Sequence, residues 1–370
     1  MTREFTKSNN VDDAAAIDLL TRLVAVPSPS RQESLASQFL TEAMQRLGFD
    51  HSAVDAVGNA VGIRQQPQSD GGFRKTIMLL GHIDTVTGWI EPRLEGDQFF
   101  GRGSVDAKGP LAALTIAAAR ARIAPGVRVV VVGAVEEESA TSKGARHVAT
   151  CFQPDACVIG EPSGWDAFTI GYKGRLLIDY ALEQDEGHWA GQRISAGESA
   201  IAWWNQLQHL ASQYNQGRPR MFDQLLVVLR EFQTNSDGLK ERADVRVGLR
   251  IPIDFDRSDF ERQVEAFSGP AEIRFHAHEQ AWQSSRTSVL ATAFGSAIRR
   301  RDRVARHKLK TGTSDMNIVG PIWKCPIVAY GPGDSALDHA PNEHISLAEF
   351  LKSIDVLQDV IETLAQLDHH

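Results

Sequence analysis

The spacing of apolar residues alternates between helical and strand-like patterns in the first 167 residues. Residues 11–24 have the period of an amphipathic helix, and a second helical pattern runs to Leu47. Ser30 and Glu33 precede this second helix with the spacing of a capping box, which predicts its N-terminus. Short apolar runs predict buried strands at residues 60–63, 76–80, 127–135 and 155–159. The alternation predicts an α/β fold with a mostly parallel sheet and helices on both faces.

The pattern changes at about residue 168 and changes back at about residue 279. Between these points, strand-like and helical segments follow the order ββαββαβ, beginning with a strand at residues 170–172. This order is typical of an α+β domain. We therefore predict one discontinuous domain formed by residues 1–167 and 279–370, interrupted by a smaller α+β domain at residues 168–278.

The composition argues against several classes of protein. A chain of 370 residues with 42% hydrophobic residues can bury the cores of two domains. Its net charge of −8 and the absence of a nucleic-acid-binding motif argue against a nucleic-acid partner. No apolar run is long enough to span a membrane, and the polar start of the chain is unlike a signal peptide. The three cysteines form no CxxC pair, which favours a cytoplasmic protein with reduced thiols.

His82 and Asp84 lie at the end of the strand predicted at residues 76–80. A neutral imidazole is a good zinc ligand, and a carboxylate or carbonyl usually fixes its other ring nitrogen. Asp84 can therefore orient His82 toward a metal ion. An ordinary turn that contains a histidine has the same pattern and is the alternative.

Asp106 lies in the glycine-rich segment GRGSVDAKG. Glycines permit tight turns close to a ligand. An aspartate in such a turn can bridge two metal ions through its two oxygens. The alternative is an ordinary Asp/Gly turn.

Glu136, Glu137 and Glu138 form an acidic run directly after the apolar strand at residues 127–135. Three adjacent carboxylates repel one another, and a divalent cation would neutralise them and lower the pKa of its ligand. One carboxylate can bind metal while a neighbour takes a proton from water. The alternative is a solvated acidic turn.

Two more candidates complete the set. Glu161 ends a strand before Pro162, and His339 lies in the loop GPGDSALDHAPNEH, where His344 is a competing candidate. Each could instead be a polar strand end or a solvated loop residue. Because ligands bind where loops converge at strand ends, the series His, Asp, Glu, Glu, His suits a two-zinc site.

These segments together resemble the zinc-dependent aminoacylase/deacetylase superfamily of metallopeptidases, which includes acetylornithine deacetylase. The matching pieces are GHIDTV, GRGSVDAKG, the three glutamates, IGEPS and HAPNE. The resemblance implies a zinc catalytic domain with a lid or dimerisation domain inserted into it. It also implies a dinuclear hydrolase of linear amide bonds, with two Zn²⁺ per subunit and Co²⁺ as a substitute.

The resemblance assigns five residues to the metal ions: His82, Asp106, Glu138, Glu161 and His339. In this assignment Asp106 bridges the two ions. His82 and Glu161 complete the site of one ion, and Glu138 and His339 complete the site of the other.

By the same resemblance Asp84 orients His82, and Glu137 is the general base. This chain has Glu136 where the family usually has aspartate, so a shift of the acidic run by one residue is an alternative. A non-catalytic relative that keeps the fold is a further hypothesis. The complete set of ligands with a spare glutamate argues against it.

The segments IGEPSGWD, GYKGRL and LKTGTSDMN resemble one subgroup, the lysine/ornithine hydrolases that act on an amino-group carrier protein. Such enzymes cut the amide between the carrier's C-terminal glutamate side chain and the amino acid, in lysine and arginine biosynthesis. The resemblance implies a small acidic carrier protein as substrate and a homodimer formed through the lid. The alternative is a deacetylase that acts on acetylornithine or acetyl-lysine.

The resemblance also suggests substrate contacts. His188 matches a histidine that reaches a partner subunit's active site and stabilises the oxyanion, and Arg250 matches a carboxylate-binding residue aided by Gly312 and Thr313. Four cations could meet an acidic carrier: Lys173, Arg175, Lys308 and Lys310. The alternatives are a strand-edge arginine that faces water and scattered surface charges.

Overall fold

The apolar runs form the central strands of a large sheet in the computed structural model, which describes residues 11–188 and 193–367. The helices are α1 (Asp13–Val24), α2 (Ser34–Arg46), α3 (Lys108–Arg120), α4 (Lys143–Cys151), α5 (Ala196–Tyr214), α6 (Arg257–Phe267), α7 (Val289–Arg299), α8 (Asp315–Trp323) and α9 (Leu347–Gln366). The strands are β1 (His51–Val54), β2 (Ala60–Gln66), β3 (Lys75–His82), β4 (Arg93–Glu95), β5 (Gln98–Phe100), β6 (Val127–Ala134), β7 (Ala156–Gly160), β8 (Ala167–Tyr172), β9 (Gly174–Asp185), β10 (Leu226–Ser236), β11 (Lys240–Ile251), β12 (Glu272–Glu279), β13 (Trp282–Gln283), β14 (Arg306–Lys310), β15 (Ile327–Ala329) and β16 (His344–Ser346).

The chain divides into two compact units. The first contains the described residues up to Gly171 together with Ser284–Leu309 and those from Ser314 onward, and the second contains Tyr172–Gln283 with Lys310–Thr313. The strand predicted at residues 170–172 as the start of the insertion is the end of β8. This strand pairs with β15 in the sheet of the first unit.

Four parallel strands, in the order β6-β3-β7-β15, form the centre of the sheet in the first unit. On one side β2 and β1 continue the sheet with antiparallel pairing, and on the other β8 does so. Every residue of β3 and β7 is buried, as expected for parallel strands that are covered on both faces. This arrangement confirms the predicted mostly parallel α/β sheet.

The parallel strands end side by side at one edge of the sheet. His82 in β3 is level with Ala134 in β6, and Gly81 is level with Gly160 in β7. A Cβ atom on Gly160 would lie 2.7 Å from the side chain of Leu114 and 3.1 Å from the Cα atom of Gly81, so a glycine permits this close packing. The residues that follow these strands therefore emerge together, at the edge where α/β proteins bind ligands.

The sheet of the second unit is antiparallel and has the strand order β10-β11-β9-β12. One face packs against α5 and α6, and Tyr180, Trp203, Val247 and Phe260 lie in the shared core. Buried and more exposed residues alternate along β11, which is the period expected of a strand with one covered face. Strand β10 is an edge of this sheet, and most of its residues are exposed.

The predicted capping box is wrong. Helix α2 begins at Ser34, with Glu33 at the N-cap position and no side-chain cap. The Ser30 hydroxyl donates instead to Asp84 Oδ2 at 2.7 Å. Glu33 Oε1 accepts from the backbone N–H of Arg31 at 2.7 Å and of Glu136 at 3.2 Å. The contact between Arg31 and Glu33, together with contacts to the distant Asp84 and Glu136, takes the place of the cap that the spacing predicts.

Within residues 11–188 and 193–367, no helix combines the length and the apolar character that crossing a lipid bilayer requires. The cysteines Cys151, Cys157 and Cys325 are all free thiols.

Candidate metal centre

His82 is the last residue of β3 and is almost completely buried. Its Nδ1 donates to the backbone carbonyl of Asp84 at 3.0 Å, and Asp84 Oδ1 lies 3.4 Å from the same nitrogen. Because Nδ1 is held in this way, Nε2 points toward the carboxylates at the sheet edge. It lies 3.1 Å from Asp106 Oδ1 and 3.9 Å from Glu161 Oε1.

The two carboxylate oxygens of Asp106 meet two different histidines. Oδ1 lies 3.1 Å from His82 Nε2, and Oδ2 lies 3.1 Å from His339 Nε2. The same His339 nitrogen lies 3.0 Å from Glu138 Oε1. The five residues predicted as metal ligands therefore form two groups that share Asp106. Ligand atoms of His82, Asp106 and Glu138, which come from both groups, lie within 4.8 Å of one another and could hold a metal ion.

The histidines and carboxylates of this cluster shift one another's pKa values. Burial alone would raise the pKa of Asp106, but hydrogen bonds from His339 and His82 outweigh it and hold that pKa below its ordinary value. Hydrogen bonds to Asp106 and Glu138 raise the pKa of His339 to about 10. Burial opposes a charge on His82, yet its carboxylate partners raise the pKa of His82 well above the usual value. The acidic groups therefore stabilise positive charge at this point.

Asp84 fixes the acidic run as well as His82. Its Oδ1 accepts from the backbone N–H of Glu137 at 3.0 Å, and its Oδ2 accepts from the backbone N–H of Glu138 at 3.0 Å. The Asp84 side chain is fully buried, and Ser30 donates a further hydrogen bond to it. Sequence reasoning predicts only the contact with His82. The partners on the acidic run and at Ser30 lie more than fifty positions away, and no local pattern indicates them.

The three glutamates of the run have different surroundings. The Glu136 carboxylate accepts from the Thr141 hydroxyl at 2.6 Å and lies 3.9 Å from both Arg31 and Lys143. Glu138 instead contacts His339.

Burial raises the pKa of the Glu137 carboxyl well above its ordinary value. The charge of His82 opposes this rise, and the carboxylates of Glu161 and Asp315 add to it. Burial raises the pKa of Glu138 as well, but Glu138 contacts His339, which leaves Glu137 as the carboxyl with the raised pKa of a proton acceptor that can later release its proton.

The competing histidine, His344, lies in β16 rather than in the cluster. Its Nδ1 donates to the Asn342 carbonyl at 2.7 Å, and its ring packs on Phe100 with centroids 4.7 Å apart. His339 has a left-handed backbone conformation, with φ of 60°, and its side chain is half exposed.

Glu343 is a buried residue of the site to which the sequence reasoning assigns no role. It lies in the HAPNE segment, and its carboxylate accepts hydrogen bonds from the loop that carries Asp106. Its partners are mainly backbone N–H groups about 240 positions away, so residue types and spacing give no signal for them.

The predicted substrate contacts lie mainly in the second unit. Arg250 Nη1 donates to the Thr313 hydroxyl at 3.0 Å, and Gly312 is the neighbouring residue. Arg175 donates from Nε to the Ala277 carbonyl at 3.3 Å. His188 is exposed in the segment after β9.

Lys173 is completely buried, and its ammonium donates to the backbone carbonyls of Met221, Phe222 and Gln224. Burial lowers the pKa of Lys173 to about 8. This burial argues against a direct contact between Lys173 and a carrier protein. Of the two remaining cations, Lys310 lies with its ammonium 5.8 Å from the centroid of the Tyr172 ring, and Lys308 is in β14.

The model of Peptidase family M20/M25/M40 matches residues 78–363, which include all five predicted ligands. The chain belongs to this family. The M20 match confirms the resemblance to the metallopeptidase superfamily.

Relatives within the M20 family are similar over nearly the whole chain. The LysW-lysine hydrolase of Deinococcus radiodurans is 41% identical over 363 residues, which cover 95% of this chain and 98% of that protein. The LysW-lysine/LysW-ornithine hydrolase of Saccharolobus islandicus is 27% identical, over 95% of this chain and 96% of its own length.

Solved structures share the fold. A metallo-carboxypeptidase of the M20 family from Sulfolobus solfataricus has a TM-score of 0.76 at 17% identity, covering 95% of this chain and 99% of its own. The aminopeptidase PepT from Bacillus cereus has a TM-score of 0.75 at 16% identity, covering 96% and 99%. These similarities confirm the α/β fold class.

Proposed function

We propose that this M20 family chain is a metal-dependent amide hydrolase that releases lysine, ornithine or both from the C-terminal glutamate of the carrier protein LysW. The relative that is 41% identical over 95% of the chain is named for this reaction with lysine. The observation that carries the proposal is the Asp106 carboxylate, whose two oxygens face His82 and His339 separately. The reaction places the enzyme in lysine and arginine biosynthesis.

The residues of the cluster fit two zinc ions. One ion would be held by His82, Asp106 and Glu161, and the other by Asp106, Glu138 and His339. Imidazole nitrogens and carboxylate oxygens are ordinary zinc ligands, and Co²⁺ accepts the same donors. The hydrogen bond from His82 Nδ1 to the Asp84 carbonyl supports this assignment, because it leaves Nε2 to face the carboxylates.

Two zinc ions, when bound, would polarise the scissile carbonyl and lower the pKa of water. Glu137 takes the proton from the attacking water and later delivers it to the leaving amine. Its raised pKa suits a group that must both accept and release a proton. Asp84 holds the backbone of Glu137 in place through the hydrogen bond at 3.0 Å.

In this proposal the first unit is the zinc catalytic domain and the second is the lid. Arg250, with Thr313 and Gly312, would bind the carboxylate of the released amino acid. His188 would stabilise the oxyanion. The hydrogen bond between Arg250 and Thr313 supports the first of these roles, since it brings two of the predicted residues together.

The lid would also form a homodimer. Edge strand β10 has exposed backbone positions, and Val228, Leu229 and Phe232 are exposed apolar side chains on it. Exposed edge strands are templates for pairing with a second copy, and in β10 a register shift between Leu229 and Glu231 divides this edge into two stretches. Light scattering of the purified protein would measure the mass. A monomer at micromolar concentration would refute this part of the proposal.

The decisive experiment compares substrates with the same zinc-loaded enzyme. LysW-lysine and LysW-ornithine conjugates are assayed beside acetyl-lysine and acetylornithine, and products are identified by mass spectrometry. We expect free lysine or ornithine from the conjugates at far higher kcat/KM than from the N-acetyl amino acids. Preference for the N-acetyl amino acids would establish a small-molecule deacetylase instead.

A further inference from the structure

We infer that Glu343 is a positioning residue, which holds the backbone of the loop that carries Asp106 and so sets the metal affinity of the site. The inference rests on the proposed zinc centre, because its effect is exerted on the zinc ligand Asp106. It goes beyond the five ligands and the general base, since Glu343 is not placed to bind a metal ion in that assignment.

The Glu343 carboxylate accepts four hydrogen bonds from one short loop. Oε1 accepts from the backbone N–H of Val105 at 2.8 Å and of Asp106 at 3.0 Å. Oε2 accepts from the backbone N–H of Gly103 at 3.1 Å and from Arg102 Nη1 at 2.8 Å. An ionised carboxylate has about four acceptor sites, so these donors satisfy it. Glu343 is fully buried, and water does not compete for these contacts.

Arg102 links Glu343 to the loop that carries His339. Its guanidinium donates to the Ala340 carbonyl at 3.2 Å, next to His339, and to the Gly88 carbonyl at 2.9 Å. Glu343 and Arg102 therefore join the loop of Asp106 to the loop of His339. These two residues are ligands of the same ion in the proposed assignment. A change at Glu343 should thus alter the relative position of two ligands.

The contact requires a carboxylate rather than a side chain of the same shape. Glutamine at position 343 has one acceptor oxygen, and its NH₂ group would face N–H donors of the loop. At least one backbone N–H or the Arg102 guanidinium would then lose its acceptor in a buried site. Residues that orient metal ligands in this indirect way typically change metal affinity by about 10- to 100-fold when they are mutated.

A purely structural role for Glu343 predicts a different result, and Glu362, a partly buried carboxylate with similar partners, serves as the control. Glu362 also accepts from an arginine and a backbone N–H: Oε2 from Arg122 Nη2 at 3.0 Å and Oε1 from the Arg122 N–H at 3.1 Å. Arg122 follows the C-terminal end of α3, whereas Asp106 precedes its N-terminal end. The 13 residues of α3 separate these ends by about 20 Å.

The experiment measures zinc affinity by competition with a chromogenic chelator and records the visible spectrum of the Co²⁺-loaded protein. Wild type, Glu343→Gln, Glu343→Asp and Glu362→Gln are compared, with unfolding midpoints of the metal-free proteins as a record of stability. We expect Glu343→Gln to bind at least one zinc ion about 10- to 100-fold more weakly. We also expect its Co²⁺ spectrum to change.

Glu362→Gln should bind zinc within about twofold of wild type, and Glu343→Asp, which keeps the charge, should lie between wild type and Glu343→Gln. Equal zinc affinity in wild type and Glu343→Gln would overturn the inference, as would an equal loss in Glu362→Gln. If neither Glu343 variant folds, the residue is structural and the inference is wrong. A wild-type chain that binds no zinc would instead refute the metal centre of the proposed function.

Discussion

Replacing Glu137 by glutamine should remove catalysis and leave the metal centre intact. The change keeps the size of the side chain and does not touch the backbone N–H that donates to Asp84. Loss of a general base costs about 10²- to 10⁴-fold in rate. At 1.36 kcal/mol for each factor of ten, this is roughly 3 to 5 kcal/mol of transition-state stabilisation. We therefore expect kcat to fall by that factor while the zinc content stays unchanged.

The neighbouring glutamates give matched controls for the register of the acidic run. Glu136→Gln should retain most activity, because its carboxylate contacts Thr141 and lies near Arg31 and Lys143. Glu138→Gln should lose metal affinity as well as activity, because Glu138 contacts His339.

The assay is steady-state hydrolysis of the LysW-lysine conjugate at saturating zinc, with metal content measured on the same samples by mass spectrometry. If Glu137→Gln keeps substantial activity while Glu136→Gln is inactive, the register is shifted by one residue and the reasoning fails. Loss of zinc from Glu137→Gln would make it a ligand instead of a base.

Three further expectations concern metal removal, Asp84 as the acceptor for the acidic run, and Asp179 in the second unit. Treatment with a strong chelator should abolish hydrolysis, and added Zn²⁺ or Co²⁺ should restore it; activity that survives complete removal would exclude a metal-dependent reaction. Asp84→Asn leaves at least one buried N–H of the acidic run without an acceptor, so the free energy of unfolding should fall by about 1–3 kcal/mol in denaturant titrations. An unchanged unfolding midpoint would contradict that anchoring role. Asp179 accepts from Arg246 at 2.8 Å and lies 3.1 Å from His276, and these partners outweigh burial and lower the pKa of Asp179. The ionised Asp179 therefore adds to the free energy of unfolding at pH values above about 4, and this stabilisation is lost as the pH falls through the lowered pKa. Asp179→Asn should be less stable than wild type at pH 7 and equally stable in strong acid.

Much of the first unit follows from local sequence. The apolar runs at 76–80 and 127–135 appear as β3 and β6, because a strand buried on both faces needs a continuous apolar segment. The parallel register then brings the residues after each strand to one edge, which is why candidate ligands far apart in sequence could be predicted as a set.

The wrong capping-box prediction and the missed role of Glu343 have the same physical cause. Ser30 and Glu33 have the residue types of a capping box, but Ser30 donates to Asp84, and Glu33 accepts from the backbone N–H groups of the nearby Arg31 and the distant Glu136. Glu343 likewise has partners that are mainly backbone groups, which every sequence possesses at every position. Local propensity describes what a segment would do alone, whereas most hydrogen-bond partners of these side chains lie in segments that are distant in sequence.

The short sheet of β4, β5 and β16 was not predicted either. Its strands have three residues each, and β16 joins β5 across more than 240 positions. Segments of this length carry too few residues for a period of two to be recognised.

The hydroxyl of Ser30 and the carboxylate of Glu33 lie before residue 78, where the match to the M20 family begins. A fragment that starts at that point would contain every proposed metal ligand and the base. It would lack the two side chains that hydrogen-bond to Asp84 and to the backbone of Glu136. Transferring only the segments that carry the ligands and the base into another protein should therefore give weaker metal binding. Ser30 and Glu33 would have to be transferred with them.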